Sequence, residues 1–124
     1  MSDVTFDTGA LIGLERRSER LHRIIWRAAS LGQRIVVPNA VLTEWWRGRT
    51  DQRELILEKL VVEPLTNRVA KLAGEAIAKV RGATAIDAIV MASASLRGGA
   101  VYTSDIDDLE RLRVFFPAVC VFGV

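Results

Sequence analysis

The segment "VTFDTGALIGLE", residues 4–15, contains the change of pattern that indicates the fold. Its short apolar run, Val4–Phe6, is typical of a strand and ends directly at Asp7. The following residues, Thr8–Glu15, form a short helical pattern for which Asp7 can serve as the N-cap. The segment therefore predicts a strand that passes into a helix through one aspartate.

The rest of the chain repeats this alternation of apolar runs and helical patterns. The further predicted strands are Ile35–Val37, Val61–Glu63, Ala100–Thr103 and Val119–Phe122. The further predicted helices are Arg20–Leu31, Ala40–Arg47, Gln52–Glu58, Thr66–Val80, Thr84–Leu96 and Asp105–Leu112. The strand runs are apolar at most positions, without a sustained alternation with polar residues, which is typical of parallel strands covered on both faces. We therefore expect a single α/β domain, residues 1–124, with a mainly parallel sheet and helices on both sides.

Composition limits the classes of protein to which the chain can belong. Half of its 124 residues are hydrophobic, which is enough for one substantial core. No apolar run approaches the roughly 18 residues of a membrane span, and the N-terminal residues lack a signal-peptide pattern. Cys120 is the single cysteine, so we expect no disulfide framework and a cytoplasmic location. Its place in an apolar run predicts a small buried side chain.

Four acidic residues fall on separate predicted elements. Asp7 and Asp105 come just after the first and fourth strands, Glu44 lies in the helix after the second, and Asp87 lies in the first turn of the helix before the fourth. Ligands of parallel α/β sheets bind outside the carboxyl ends of the strands. We expect Asp7 and Asp105 at that edge, where the other two acids can converge with them.

A cluster of carboxylates points to hard divalent cations. Mg²⁺ and Mn²⁺ prefer carboxylate oxygens and water. Two such ions can assist an in-line displacement at phosphorus by stabilising both the attacking and the leaving oxygen. Without a cation, gathered carboxylates would repel one another and at least one pKa would rise. The chemistry needs no histidine or thiolate ligand, which suits a chain with one of each.

Several of these acids also have a purely structural interpretation. Thr84 precedes Asp87 by three residues, which is capping-box spacing, and Ser104 precedes Asp107 in the same way. In the second case Asp107 would support the cap, and Asp105 would occupy the first helical position, where the helix dipole favours a carboxylate. The local pattern leaves the role of the neighbouring Asp108 open.

Four segments together resemble the PIN-domain family of nucleases, and in particular the toxins of VapBC toxin–antitoxin modules. They are "VTFDTGALIGL", "VPNAVLTEWWR", "ATAIDAIVMASA" and "VYTSDIDDLERL", in this order and at matching spacing over nearly the whole chain. The resemblance implies a sheet of about five parallel strands and Mg²⁺- or Mn²⁺-dependent cleavage of RNA. It assigns the acidic metal site and the catalytic role to Asp7, Glu44, Asp87 and Asp105.

The resemblance also implies details around that site. The hydroxyls of Thr103 and Ser104 stand where small polar residues orient the ligands, and Asp107 or Asp108 assists Asp105. The chain departs from the pattern at Gly9, because many relatives carry Ser or Asn two places after the first aspartate. A side-chain contact is then missing at this position, while the four acids remain.

The implied partners are RNA, a cognate antitoxin and a second copy of the chain in a homodimer. Outside the four acids, eleven acidic residues stand against seventeen basic ones, a balance that suits RNA. The candidate phosphate contacts are Arg16, Arg17, Arg20 and Arg23, or Arg47 and Arg49 beside Glu44. For the first group the alternative is a solvated helix face, and for the second it is an ion pair with Glu44.

The adjacent Trp45 and Trp46 bear on the antitoxin, because two neighbours on a helix do not face the same core. An exposed tryptophan often marks an interface. The resemblance implies that an antitoxin lays a helix or a tail in a groove near here and places a basic residue in the acidic site.

Other functions compete with a toxin nuclease. A PIN nuclease that processes stable RNA, and a catalytically silent binding module with the same fold, would both retain these segments. A phospho-acceptor receiver domain would need an acceptor aspartate after the third strand and a late lysine. Here Pro64 and Leu65 follow that strand, and no lysine lies beyond Lys79, so we reject this class.

Overall fold

The computed structural model describes residues 3–124, so the first two residues of the expected domain lie outside the described part. Its strands are β1 (Val4–Phe6), β2 (Ile35–Pro38), β3 (Val61–Glu63), β4 (Ala100–Thr103) and β5 (Cys120–Gly123). Its helices are α1 (Thr8–Glu15), α2 (Glu19–Ser30), α3 (Asn39–Trp45), α4 (Asp51–Glu58), α5 (Asn67–Lys79), α6 (Ala85–Arg97) and α7 (Ile106–Leu112). The predicted α/β class is confirmed, and the predicted element bounds agree to within one or two residues.

The strands of residues 3–124 form one parallel sheet in the order β3-β2-β1-β4-β5. The central strand β1 places Phe6 in register with Tyr102 of β4, and the N–H of Asp7 donates to the Tyr102 carbonyl at 3.3 Å. Because all strands run in one direction, their carboxyl ends meet at one edge, which we call the carboxyl edge. Asp7 lies at this edge, directly after β1.

The helices form two layers around the sheet. Right-handed crossovers put the helices before β3 on one face and those after β3 on the other. The packing agrees, because α1 contacts α2, α3 and α4, whereas α6 contacts α5 and α7. Phe6, Leu11 and Met91 are fully buried in the resulting core. The core therefore fixes the start of α1 and the middle of α6 against the sheet.

The two tryptophans at the end of α3 differ in burial. Trp45 is fully buried and its indole N–H donates to the Glu15 carboxylate, whereas Trp46 is half-buried. The helix ends at Trp45, two residues earlier than expected, because Arg47 and Gly48 take positive φ angles of 48° and 120°. Only one of the two indoles is fully buried, as the helical spacing predicts.

One burial prediction was wrong. Cys120 is exposed, because β5 is an edge strand and pairs only with β4. Within residues 3–124, no helix combines the length and hydrophobicity that crossing a membrane requires.

Candidate metal centre

Asp7 is fixed at the carboxyl edge by both of its neighbouring elements. It follows β1 and is the N-cap of α1, where one carboxylate oxygen accepts the Ala10 N–H at 3.1 Å. Only 8% of its surface is exposed. The predicted capping role is therefore confirmed, and the cap holds a nearly buried carboxylate in one orientation.

Thr103 joins this carboxylate to the end of β4. Its side chain is fully buried and hydrogen bonds to Asp7, while its hydroxyl oxygen accepts the N–H of Asp105 at 2.8 Å. A single hydroxyl thus links the ends of two adjacent strands. Asp105 follows with an exposed side chain at the carboxyl edge.

Gly9 allows the β4–α7 connection to approach α1 closely. A Cβ atom built on Gly9 would lie 2.0 Å from the Ser104 Oγ and 2.8 Å from the Ser104 Cβ. Contacts under about 3 Å do not occur for real Cβ atoms. The Ser104 hydroxyl therefore occupies the space that a side chain at position 9 would take.

Asp87 lies at the start of α6 and reaches the same edge of the sheet. Thr84 is the N-cap of this helix and its hydroxyl accepts the Asp87 N–H at 3.2 Å, so the predicted cap is confirmed. The Asp87 carboxylate also hydrogen bonds to the Thr84 side chain and is half-buried. The cap fixes the first turn of α6 with this carboxylate at the carboxyl edge.

Glu44 reaches the same region from α3. Its carboxylate accepts a hydrogen bond from the Thr8 hydroxyl at the start of α1. The alternative ion pair with Arg47 or Arg49 is wrong, because Arg49 pairs with Asp51 and no pair of Arg47 with Glu44 occurs within residues 3–124. Glu44 is thus tied to the helix that Asp7 caps.

Four acids line one open cleft of about 450 Å³ at the carboxyl edge. They are Glu44, Asp87, Asp105 and Asp108, and the first turn of α6 forms the remaining wall. Asp7 is not part of the lining, but its charge interacts with those of Asp87 and Asp105. The structure therefore places three of the four predicted residues in one cleft, and the fourth, Asp7, close enough for its charge to interact with two of them.

The electrostatics of the cleft follow from burial and from this grouping. Burial raises the pKa of Asp7, and the negative charges of Asp87 and Asp105 add to the rise, while hydrogen bonds from Thr103 and Ala10 oppose it. Burial likewise raises the pKa of Asp87, with further contributions from Asp108, Asp105 and Glu44 and an opposing one from Thr84. Asp7 and Asp87 are therefore harder to ionise than an exposed aspartate, and a bound cation would stabilise their ionised forms.

The donor set fits a hard divalent cation in its chemistry. The cleft offers carboxylate oxygens, and Thr84 adds a hydroxyl. Within the described residues, however, no three His, Cys, Asp or Glu side chains are grouped tightly enough to hold an ion as they stand. Coordination by three or more of these acids would therefore require the exposed carboxylates of Glu44 and Asp105 to turn towards Asp7 and Asp87.

The start of α7 differs from the predicted cap. The N-cap position is Asp105, with φ −118° and ψ 63°, and no side chain caps this helix. The predicted Ser104–Asp107 cap was wrong because the helix begins at Ile106, one residue later than expected. Asp108, in the first turn of α7, lines the cleft, whereas Asp107 does not. Asp108 also pairs with Arg111 on the next turn.

Comparison with known proteins gives a family and a set of structural neighbours. The model of the PIN domain family matches residues 4–114. VapBC2 from Rickettsia felis, solved with a DNA fragment from its promoter, is similar with a TM-score of 0.80 and 12% identity, covering 98% of each chain. DNA-bound VapBC from Salmonella typhimurium gives 0.76 and 18%, covering 99% of this chain and 98% of that one.

A third similar structure is a toxin–antitoxin complex from Klebsiella pneumoniae, with a TM-score of 0.70 and 17% identity over 98% of this chain and 100% of the other. No curated protein matches the sequence. At these identities the structural neighbours establish the fold.

Proposed function

We propose that this chain, which belongs to the PIN domain family, is a Mg²⁺- or Mn²⁺-dependent endoribonuclease and the toxin of a type II toxin–antitoxin pair. The observation that carries the proposal is the acidic cleft at the carboxyl edge. Glu44, Asp87 and Asp105 line it from three elements, and Asp7 lies next to them with a raised pKa. A cation bound in the cleft would offset the repulsion among these carboxylates.

In this proposal Asp7 and Asp87 hold the principal cation, and Asp105 and Glu44 complete its surroundings. A divalent ion held there would supply Lewis acidity to stabilise the negative charge that develops on the phosphate oxygens. Thr103 keeps the Asp7 carboxylate in place by its hydrogen bond.

One carboxylate of the cleft must accept the proton that water loses when it attacks the phosphodiester. The group needs to be exposed to the solvent that supplies the water, which favours Asp105 or Glu44 over the nearly buried Asp7. Asp108 is the acid that assists at the rim, because it lines the cleft and Asp107 does not.

The toxin role is proposed from the neighbours and from an apolar groove on α3, the helix that carries Glu44. The three similar structures are toxin–antitoxin assemblies. In this chain, Leu42, Trp46 and Leu57 line a groove of about 650 Å³ between α3 and α4. An antitoxin helix would bury these side chains, and its basic tail would reach the adjacent acids. A homodimer is proposed from the same family resemblance.

Cleavage of RNA by the purified chain tests the nuclease proposal. Asp7→Asn keeps the side-chain oxygen that caps α1 and removes the charge, so the fold should remain while cleavage is lost. The matched control is Asp107→Asn, an equal charge change at a site next to the cleft. Full activity of Asp7→Asn in Mg²⁺ or Mn²⁺ would refute the assignment of Asp7 to the metal site. An equal loss of cleavage in both variants would show that the loss is not specific to Asp7.

The choice between a toxin and an RNA-processing nuclease needs a second experiment. RNA ends are mapped in cells that express the wild type or Asp7→Asn. A toxin should produce new ends at few sites and arrest growth, and co-expression of the gene product encoded next to it should restore growth. New ends without growth arrest would favour the processing nuclease, and no new ends would favour a silent binding module.

A further inference from the structure

A second groove lies between α2 and the sheet. It has a volume of about 840 Å³, and Arg20, Arg23, Arg27 and Tyr102 contribute to its walls. We call it the α2 groove. The mixture of cations and an aromatic ring sets it apart from an ordinary surface depression.

The three arginines follow helical spacing along one side of α2. Arg20 and Arg27 make no ion pair within residues 3–124, and Arg23 only approaches the exposed Glu19 at 3.8 Å. The other nearby acid, Asp3, is already paired with Arg34 at 2.7 Å. The wall of the groove therefore carries positive charge that this chain does not neutralise.

An aromatic pair lies at the other side, where Tyr102 lines the α2 groove and Phe122 lines an adjoining cavity. Phe6, Tyr102 and Phe122 lie in register across β1, β4 and β5. The rings of Tyr102 and Phe122 stack with centroids 5.4 Å apart, and Phe122 is 44% exposed. Phe6 is fully buried and Tyr102 half-buried, so the Phe122 ring is the one that a planar ligand group can reach.

The groove leads towards the acidic cleft. Tyr102 immediately precedes Thr103, which holds both Asp7 and the Asp105 N–H. Between the α2 groove and the carboxyl edge lies a smaller cavity of about 410 Å³, whose walls include Arg16 and Ser104. A row of cations, from Arg27 to Arg16, therefore extends along this face and ends beside the residue that precedes Asp105.

We infer that the α2 groove binds single-stranded RNA and guides one arm of the substrate away from the acidic cleft. The inference rests on the proposed nuclease function and deepens it by selecting Arg16, Arg20 and Arg23 from the candidate arginines and adding Arg27. Unpaired arginines contact successive phosphates, and the ring of Phe122 stacks on a base. The combination of a cationic track with an aromatic platform is the usual recognition of single strands, and it does not require a particular sequence.

The test compares two triple variants that remove the same charge. Arg20→Ala/Arg23→Ala/Arg27→Ala clears the groove, and Arg68→Ala/Lys71→Ala/Lys79→Ala removes three exposed cations from α5 on the other layer. Both carry Asp7→Asn so that RNA stays intact. Binding of a fluorescent 12-nucleotide RNA is measured by anisotropy between 50 and 300 mM salt, and circular dichroism checks the fold.

Each phosphate contact to a single strand contributes about 0.7 to the slope of log affinity against log salt. If the three arginines each bind a phosphate, the groove variant loses about 2 from that slope and about a hundredfold in affinity at 0.1 M salt. The α5 variant should stay within about threefold of its parent. Phe122→Ala should lose about fivefold or more with little change of slope.

Equal losses in both triple variants, or unchanged affinity in the groove variant, would overturn the inference. In the second case the positive row would instead suit an acidic protein partner. Cleavage by the wild type distinguishes a failure of the α2-groove inference from a failure of the proposed nuclease function. A chain that cleaves RNA but binds it equally well without the three arginines refutes only the groove, whereas a chain that binds RNA through them but never cleaves it refutes only the nuclease.

Discussion

The close approach of Gly9 to Ser104 predicts that the smallest possible side chain at position 9 disturbs the site. A Cβ at this position would lie 2.0 Å from the Ser104 Oγ, and rotating that hydroxyl away still leaves the Ser104 Cβ at 2.8 Å and its backbone N at 3.1 Å. The β4–α7 connection must therefore move by a few tenths of an ångström. Asp105 is the next residue, so this movement displaces one of the proposed metal ligands.

Two opposing terms determine the stability of Gly9→Ala. Replacing Gly by Ala within a helix stabilises it by about 1 kcal/mol, whereas overpacking costs about 1–3 kcal/mol. The balance is a net loss of about 1 kcal/mol in the free energy of unfolding, or roughly 4 °C in Tm. Cleavage should fall by about tenfold or more, because small displacements of catalytic groups are costly.

Gly74→Ala is the matched control, since it lies within α5 and a Cβ built there meets nothing within 4 Å. It should gain about 1 kcal/mol and keep full activity. Urea denaturation and RNA cleavage are measured for both, and for Gly9→Ala combined with Ser104→Gly, which removes the two closest contacts. A coupling free energy of about 1–3 kcal/mol is expected between the two positions. If Gly9→Ala is as stable and as active as Gly74→Ala, the close packing described for this edge is wrong.

Three further predictions concern the acids and their supports. The raised pKa values of Asp7 and Asp87, set against the ordinary 3.8, mean that the folded chain retains protons that the unfolded chain has lost. In EDTA, the Tm advantage of Asp87→Asn over wild type should therefore grow from about pH 4 to pH 7, and a constant difference would contradict the shift. Arg97 pairs with Glu63 and is largely buried, so Arg97→Met should cost about 3 kcal/mol in chemical denaturation by leaving the carboxylate with only the Ser93 hydroxyl as a partner; a loss below about 1 kcal/mol would show that solvent replaces the pair. Thr103→Val keeps the shape but removes hydrogen bonds at the ends of β1 and β4, so unfolding should become easier by about 1–3 kcal/mol and cleavage should drop, and unchanged values of both would refute the linking role.

The fold could be predicted from the sequence because each strand is a short, mainly apolar run between helical patterns. The placement of Asp7 followed from the same logic, since an aspartate at the end of a parallel strand must lie at the carboxyl edge. The Thr84 cap was visible as a local motif. The strands, the position of Asp7 and the Thr84 cap all depend on residues that are close together in the sequence, so the sequence pattern is sufficient to predict them.

The features that sequence left open depend on helix phase and on distant contacts. Neighbouring side chains on a helix point about 100° apart, so the way α7 packs on the sheet decides that Asp108 rather than Asp107 lines the cleft. Position 9 lacks room for a side chain because Ser104, which is distant in the sequence, packs against it. The exposure of Cys120 follows from the edge position of β5, which the sheet order alone reveals.

The most direct test of the account is a calorimetric titration of the purified chain with Mn²⁺, because the acids gather in one cleft although no three of the described residues form a ready-made ion site. Asp7→Asn and Asp107→Asn are titrated in parallel with the wild type. The account predicts saturable binding by the wild type and by Asp107→Asn, and loss of that binding in Asp7→Asn. Absence of Mn²⁺ binding by the wild type, or equal binding by all three proteins, would contradict a metal centre at this edge of the sheet.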